Sequence, residues 1–227
     1  MKTKALIAGA IFATMALSPL LAVIESMPLN FVFTGTAAAN PVPLTLTLQD
    51  GLAANTVRLT LDATNLSGSE FVSGWYINLN PAFDPSQLTF SFVSNPLPPG
   101  VFTLSGIQTG TNAFKADGDG FYDILFSLPP PPGGFANEFH SGETMIVDVT
   151  RAAGLSVADF NFQSVMGGGT GTYYSAAHIQ GVGASGLSNF TGASVTPTQT
   201  SIPEPSVVSF CLGLAAFGLH AVRRKRR

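Results

Sequence analysis

Asp117-Gly118-Asp119-Gly120-Phe121-Tyr122-Asp123 carries the sharpest candidate chemistry in the chain. Three carboxylates spaced this way in a glycine-bent loop can converge on a hard cation, and calcium takes six to eight oxygen ligands. Phe121 stands where an EF-hand-type loop places its third oxygen ligand, and Leu128 stands where that loop ends in a bidentate Glu. The segment is therefore not an EF-hand. Asp-Gly pairs also favour tight hairpin turns with no ligand. A calcium site on Asp117, Asp119 and Asp123 and a bare turn are the competing expectations.

Other constellations are weaker. Gly181-Val182-Gly183-Ala184-Ser185-Gly186 matches the GxGxxG spacing of dinucleotide-binding loops. No helical pattern follows it, so no helix N-terminus would face a pyrophosphate, and a glycine loop is expected. His140 and His178 are the histidines of the central region. His178 sits in an apolar strand-like run, where a hydrogen-bonded structural role is expected. No HExxH or GxSxG motif occurs. Glu138, Glu143 and Asp148 could form a glycosidase pair only if the fold brought two of them together. Trp75, Tyr76, Tyr173 and Tyr174 could make an aromatic platform for sugar rings, though alternation turns one member of each adjacent pair inward. One Thr45-Leu46-Thr47 pair is not the threonine array that an ice-binding face needs.

The elements that must position these residues read as strands. Period-two alternation marks Leu44 to Leu48, Val57 to Asp62, Trp75 to Leu79, Leu88 to Val93, Tyr122 to Phe126, Thr144 to Val149, Phe160 to Ser164 and Tyr173 to Gln180. Turn residues lie between them at Asp50-Gly51, Asn80-Pro81, Asn95 to Gly100, Asp117 to Gly120, Pro129 to Gly134 and Gly167 to Gly171. Many short strands without an internal helix predict one all-β domain, an antiparallel sandwich over residues 40–191. Irregular spacing argues against a propeller or β-helix. Residues 192–201 are mostly small and polar and predict a flexible linker.

Composition fits this reading. The chain has 227 residues, 45% hydrophobic and 10% charged, with 18 Phe. That is enough apolar material for a packed core. Between residues 30 and 201 the bases are Arg58, Lys115 and Arg151, set against eleven acids. An acidic body cannot supply the phosphate contacts of a nucleic-acid binder. Cys211 is the one cysteine, so the body is held by neither disulfides nor a CxxC metal site, and lipoprotein-type anchoring is excluded.

Both ends look like address signals. Lys2 and Lys4 precede an apolar run from Ala5 to Leu17, and Ser18-Pro19 then breaks it. This pattern predicts a signal helix within an export region over residues 1–39, with Ala22 and the Ala37-Ala38-Ala39 run as candidate cleavage points. An uncleaved anchor is the alternative. At the other end, Pro203-Glu204-Pro205 is followed by the mostly apolar Val207 to Val222, and then by Arg223, Arg224, Lys225, Arg226 and Arg227. Sixteen helical residues span about 24 Å, short of a bilayer core of about 30 Å. Basic side chains can snorkel to close the gap. The basic stop marks the cytoplasmic side and leaves the body outside.

Residues 202–227 resemble the PEP-CTERM sorting signal, also known as the ice-binding protein C-terminal domain. The tripeptide, a short transmembrane helix and an arginine-rich stop occur in that order. The resemblance implies recognition of Pro203, Glu204 and Pro205 by an exosortase in the inner membrane. It also implies processing there and release outward in a Gram-negative producer of exopolysaccharide. The body is similar to an ectodomain common among PEP-CTERM proteins, through Phe71 to Pro81, Lys115 to Phe126, and Ala177-His178-Ile179-Gln180-Gly181. That likeness implies a jelly-roll or cohesin-like sandwich and brings no activity. The expectation is an exported, non-enzymatic surface or biofilm-matrix protein, anchored and then released, with exosortase and extracellular polysaccharide as partners. The alternatives are a carbohydrate-binding module and a secreted hydrolase. No resident cofactor is expected other than the candidate calcium.

Overall fold

The leucine–threonine alternation of the early central region becomes paired strands. A computed structural model describes residues 21–50, 53–94, 102, 104–117, 119–128, 137–169 and 171–203. Its strands are β1 (Leu21–Leu29), β2 (Phe31–Gly35), β3 (Leu44–Gln49), β4 (Thr56–Asp62), β5 (Phe71–Ile77), β6 (Thr89–Ser94) and β7 (Gly106–Ala116). They continue as β8 (Gly120–Ser127), β9 (Phe139–His140), β10 (Thr144–Thr150), β11 (Ser175–Val182), β12 (Leu187–Gly192) and β13 (Thr198–Pro203).

Two antiparallel sheets pack together. One runs β13-β1-β3-β4-β10-β6, and the other β2-β12-β11-β5-β8-β7 with β9 also paired to β5. Register follows the apolar pattern. In β3 and β4, Leu46 faces Leu61 and Leu48 faces Leu59 across the ladder, and Leu59 faces Val147 of β10. A one-residue slip would turn every one of these leucines into water. Their inward face meets Val72, Trp75 and Ile77 of β5, Ile124 and Phe126 of β8, and Ala177 and Ile179 of β11, all buried in one core. On the outer face the Arg58 guanidinium grips Asp148 of β10 with two hydrogen bonds of 2.8 and 2.9 Å. Half-exposed pairs of this kind contribute ~0.2–1 kcal/mol. They settle register more than stability.

The domain boundaries differ from the sequence expectation at both ends. Residues 21–35 are not part of a separate export region, because they form β1 and β2. Met27 and Leu29 of β1 are fully buried, and β1 pairs with β3 from Ile24↔Gln49 to Leu29↔Leu44. β2 pairs with β12. An apolar run that follows a signal-like segment is equally a core strand, and the core claims it. At the other end the expected linker, residues 192–201, holds the end of β12, the fully buried Ala193 and most of β13. Ile202 and Pro203 also belong to β13 rather than to a separate anchor. Gln199 of β13 donates its side-chain amide to the Oε1 of the fully buried Glu25 on β1. Burial is the main cause that pushes the Glu25 carboxyl up.

Phe160 to Ser164 is not a strand. Val157–Phe160 forms a turn of 3₁₀ helix, started by a reciprocal capping box between Ser156 and Asp159. Among the described residues no helix is long and apolar enough to cross a membrane. The expected signal helix (Ala5 to Leu17), the expected transmembrane helix (Val207 to Val222), Glu204, Pro205 and the basic stop Arg223, Arg224, Lys225, Arg226 and Arg227 lie outside the described residues.

Candidate functional site

The carboxylates of the Asp-Gly loop do not converge. Asp117 occupies the β7–β8 turn at φ 53°, a left-handed conformation that Asp tolerates, and its side chain is exposed. The Asp119 carboxylate turns to the Gly167–Gly171 loop, where a side chain on Gly169 would clash with it. Asp123, inside β8, spends its oxygens on the backbone. Oδ2 accepts from Leu79 N at 2.9 Å and Oδ1 from Asn112 N at 2.8 Å. No three acidic, His or Cys side chains among the described residues group to hold a metal ion. In this arrangement Asp117, Asp119 and Asp123 of the calcium expectation face three different surroundings.

The GxGxxG segment is the β11–β12 hairpin. Gly183 and Gly186 both take positive φ, and Gly186 N closes the turn on Gly183 O at 3.3 Å. Gly181, at φ +74°, passes so close to the backbone that a Cβ would lie 1.9 Å from Ser69 O. The glycines serve the turn and this close approach.

The expected aromatic platform divides between two clusters. Trp75 is fully buried and donates Nε1–H to Ser175 Oγ at 3.0 Å. Tyr174 packs against the main core. Tyr173 and Tyr76 instead join a band outside it with Phe33, Phe190 and Tyr122. Phe33 stacks on Tyr173 at 4.6 Å and 15°, and His178 stacks on Phe190 at 4.3 Å and 9°. Rings stacked on one another spend the faces that a sugar would need. Phe33 and Phe190 went unflagged in the sequence, since neither sits beside another aromatic residue.

His178 Nδ1 lies 2.7 Å from Ser73 Oγ. Burial pushes its imidazole below the ordinary 6.5, and Asp117 partly opposes this. The unfolded chain therefore binds the His178 proton at higher pH than the native protein does. The residue's contribution to stability is full above about pH 6.5 and falls as pH drops through the lowered native value. Buried Glu25 and Glu143 and half-buried Asp50 are pushed up, chiefly by desolvation, and act with the opposite sign. The difference between wild type and His178→Gln isolates the histidine. Urea unfolding should show that difference changing against the wild type from about pH 7.5 to about pH 5. An invariant difference contradicts the assignment.

Two of the scattered acids have protein partners. Asp148 is held by Arg58, while Glu143 Oε2 accepts from His140 N at 2.7 Å.

Polar groups do converge in a cleft of about 90 Å³ lined by Asn78, Thr111, Asn112, Asp123, Phe162 and Gln163, among others. Of the sequence-flagged residues only Asp123 is there. The rest come from three separated segments, and no local pattern joins them. No family model matches the chain, and neither a curated protein nor a solved structure matches it.

Proposed function

We propose that this is an exported, non-enzymatic protein of the cell surface or extracellular matrix, sorted through a PEP-CTERM-like tail that an exosortase recognises. The observation that carries the reading is the order of parts. A compact unit, Leu21–Ile202, lies between a basic-apolar N-terminal segment and a Pro-Glu-Pro, apolar, arginine-rich C-terminal one. Cys211 lies outside this unit, so the sandwich needs no disulfide and can fold in either redox compartment. Its 11 acids against three bases between residues 30 and 201 suit a body kept away from anionic lipid and nucleic acid. The jelly-roll or cohesin-like subtype, the inner-membrane stage and a place in a biofilm polysaccharide layer belong to the same proposal.

Topology tests it. A reporter that is active only in the cytoplasm, fused after Arg227, should be active, and the same reporter placed within the sandwich should be silent. Activity from the sandwich fusion, or silence from the Arg227 fusion, contradicts the reading.

A further inference from the structure

We infer that the cleft between the end of β5, the middle of β7 and the segment after the 3₁₀ turn is a binding site for a neutral saccharide. The inference deepens the matrix-protein reading and rests on it for the choice of ligand. Its chemistry is set by polar side chains, of which the fold buries and fixes Asn78 and Asp123 while leaving Thr111, Asn112 and Gln163 exposed at the mouth. Asn78, almost fully buried, donates its amide to Tyr173 O at 3.0 Å and Tyr174 O at 3.2 Å. Its carbonyl oxygen is the acceptor that remains to this side chain. Asp123 accepts one backbone N–H on each oxygen, and a carboxylate has about four acceptor sites. Gln163 is steadied by Thr172, whose hydroxyl donates to Oε1 at 3.0 Å, and this leaves the Nε2 amide to donate elsewhere.

Fixed acceptors on Asn78 and Asp123 and donors on Gln163 and Asn112 thus line one small concavity. Adjacent sugar hydroxyls each donate and accept, and so match such a mixed set. Phe162 and Val165 add apolar surface for the C–H groups of a ring. Asp123 is the charged side chain of the lining, so an anionic uronate or phosphate is repelled. Two amide donors beside it disfavour a bare cation. Groups already locked by the fold lose little further freedom on binding, which favours affinity.

The test is fluorescence anisotropy on the full chain in detergent micelles. The probes are labelled tetramers of β-1,4-linked glucose and α-linked mannose, with an alginate tetramer and calcium chloride as separate arms. At least one neutral probe should bind. The double variant Thr111→Val, Gln163→Ala changes exposed side chains and should weaken that binding at least about tenfold. Its thermal unfolding should stay unchanged. Phe31→Ser, which removes an exposed ring stacked on Tyr173 of the aromatic band, should leave affinity as it is. Four results overturn the site: no binding of either neutral probe, equal affinity of the double variant, loss of binding with Phe31→Ser, or preference for alginate. A calcium-induced shift in melting that the double variant abolishes also overturns it, in favour of a cation site. None of these outcomes bears on the tail, whose role is read from localisation.

Discussion

A chain beginning at Leu21 and ending at Pro203 should fold cooperatively, and a chain beginning at Asn40 should not. The second lacks β1 and β2. Met27 and Leu29 are fully buried, and burying a side chain of this size contributes ~1.5–3 kcal/mol. Their loss opens the inner face of β3 at Leu44, Leu46 and Leu48. It also removes the neighbour that holds β13. On the other sheet, loss of β2 leaves β12 as a bare edge and takes away Leu29 O and Phe31 O, the acceptors of the buried Thr191 hydroxyl. Against a typical domain stability of ~5–15 kcal/mol, these losses leave no folded state. Circular dichroism and urea titration of the two chains would show it. A cooperative transition from the Asn40 chain would refute the assigned role of β1. The same geometry bears on the proposed export: cleavage after Ala39 would remove β1 and β2 from the sandwich.

How much could be read in advance follows from which faces the strands bury. β3, β4 and β10 alternate between a fully buried and a half-exposed face, and their sequences state that pattern outright. β7 is an edge strand interrupted by Gly, Thr and Asn residues, with Ala116 its one buried position and a register shift between Thr109 and Phe114. It has no apolar stripe to announce it. β1 was hidden for the opposite reason. Leu21-Ala22-Val23-Ile24 continues the apolar N-terminal run, and Pro28 speaks against a strand, although it pairs with Thr45 within the ladder. β13 is made of small and polar residues and is defined by its neighbour rather than by its own pattern. Phe160 and Phe162 alternate like a strand, but the Ser156–Asp159 capping box turns the chain before a strand can begin. The cleft was the least legible feature. Asn78, Asn112, Asp123 and Gln163 meet only because β5, β7 and β8 are neighbours, and long-range pairing of that kind leaves no trace in local spacing.

The second large effect is expected at the tail. Proline fixes φ and restricts the residue before it, so a Pro-x-Pro sequence favours an extended chain. An extended segment just outside a membrane is what a protease-like active site can grip, and Glu204 adds a single charge for recognition. Pro203 also closes β13. Changing Pro203, Glu204 and Pro205 together to Ala leaves the apolar segment and the basic stop untouched. The loss expected is one of processing, not of membrane insertion.

Fractionation of cells that contain an exosortase, with blotting for the sandwich, is the direct measurement of the central claim. The wild type should appear shortened and outside the inner membrane, while the triple Ala variant stays in the inner membrane at full length. Equal shortening and equal release of the two would contradict the account.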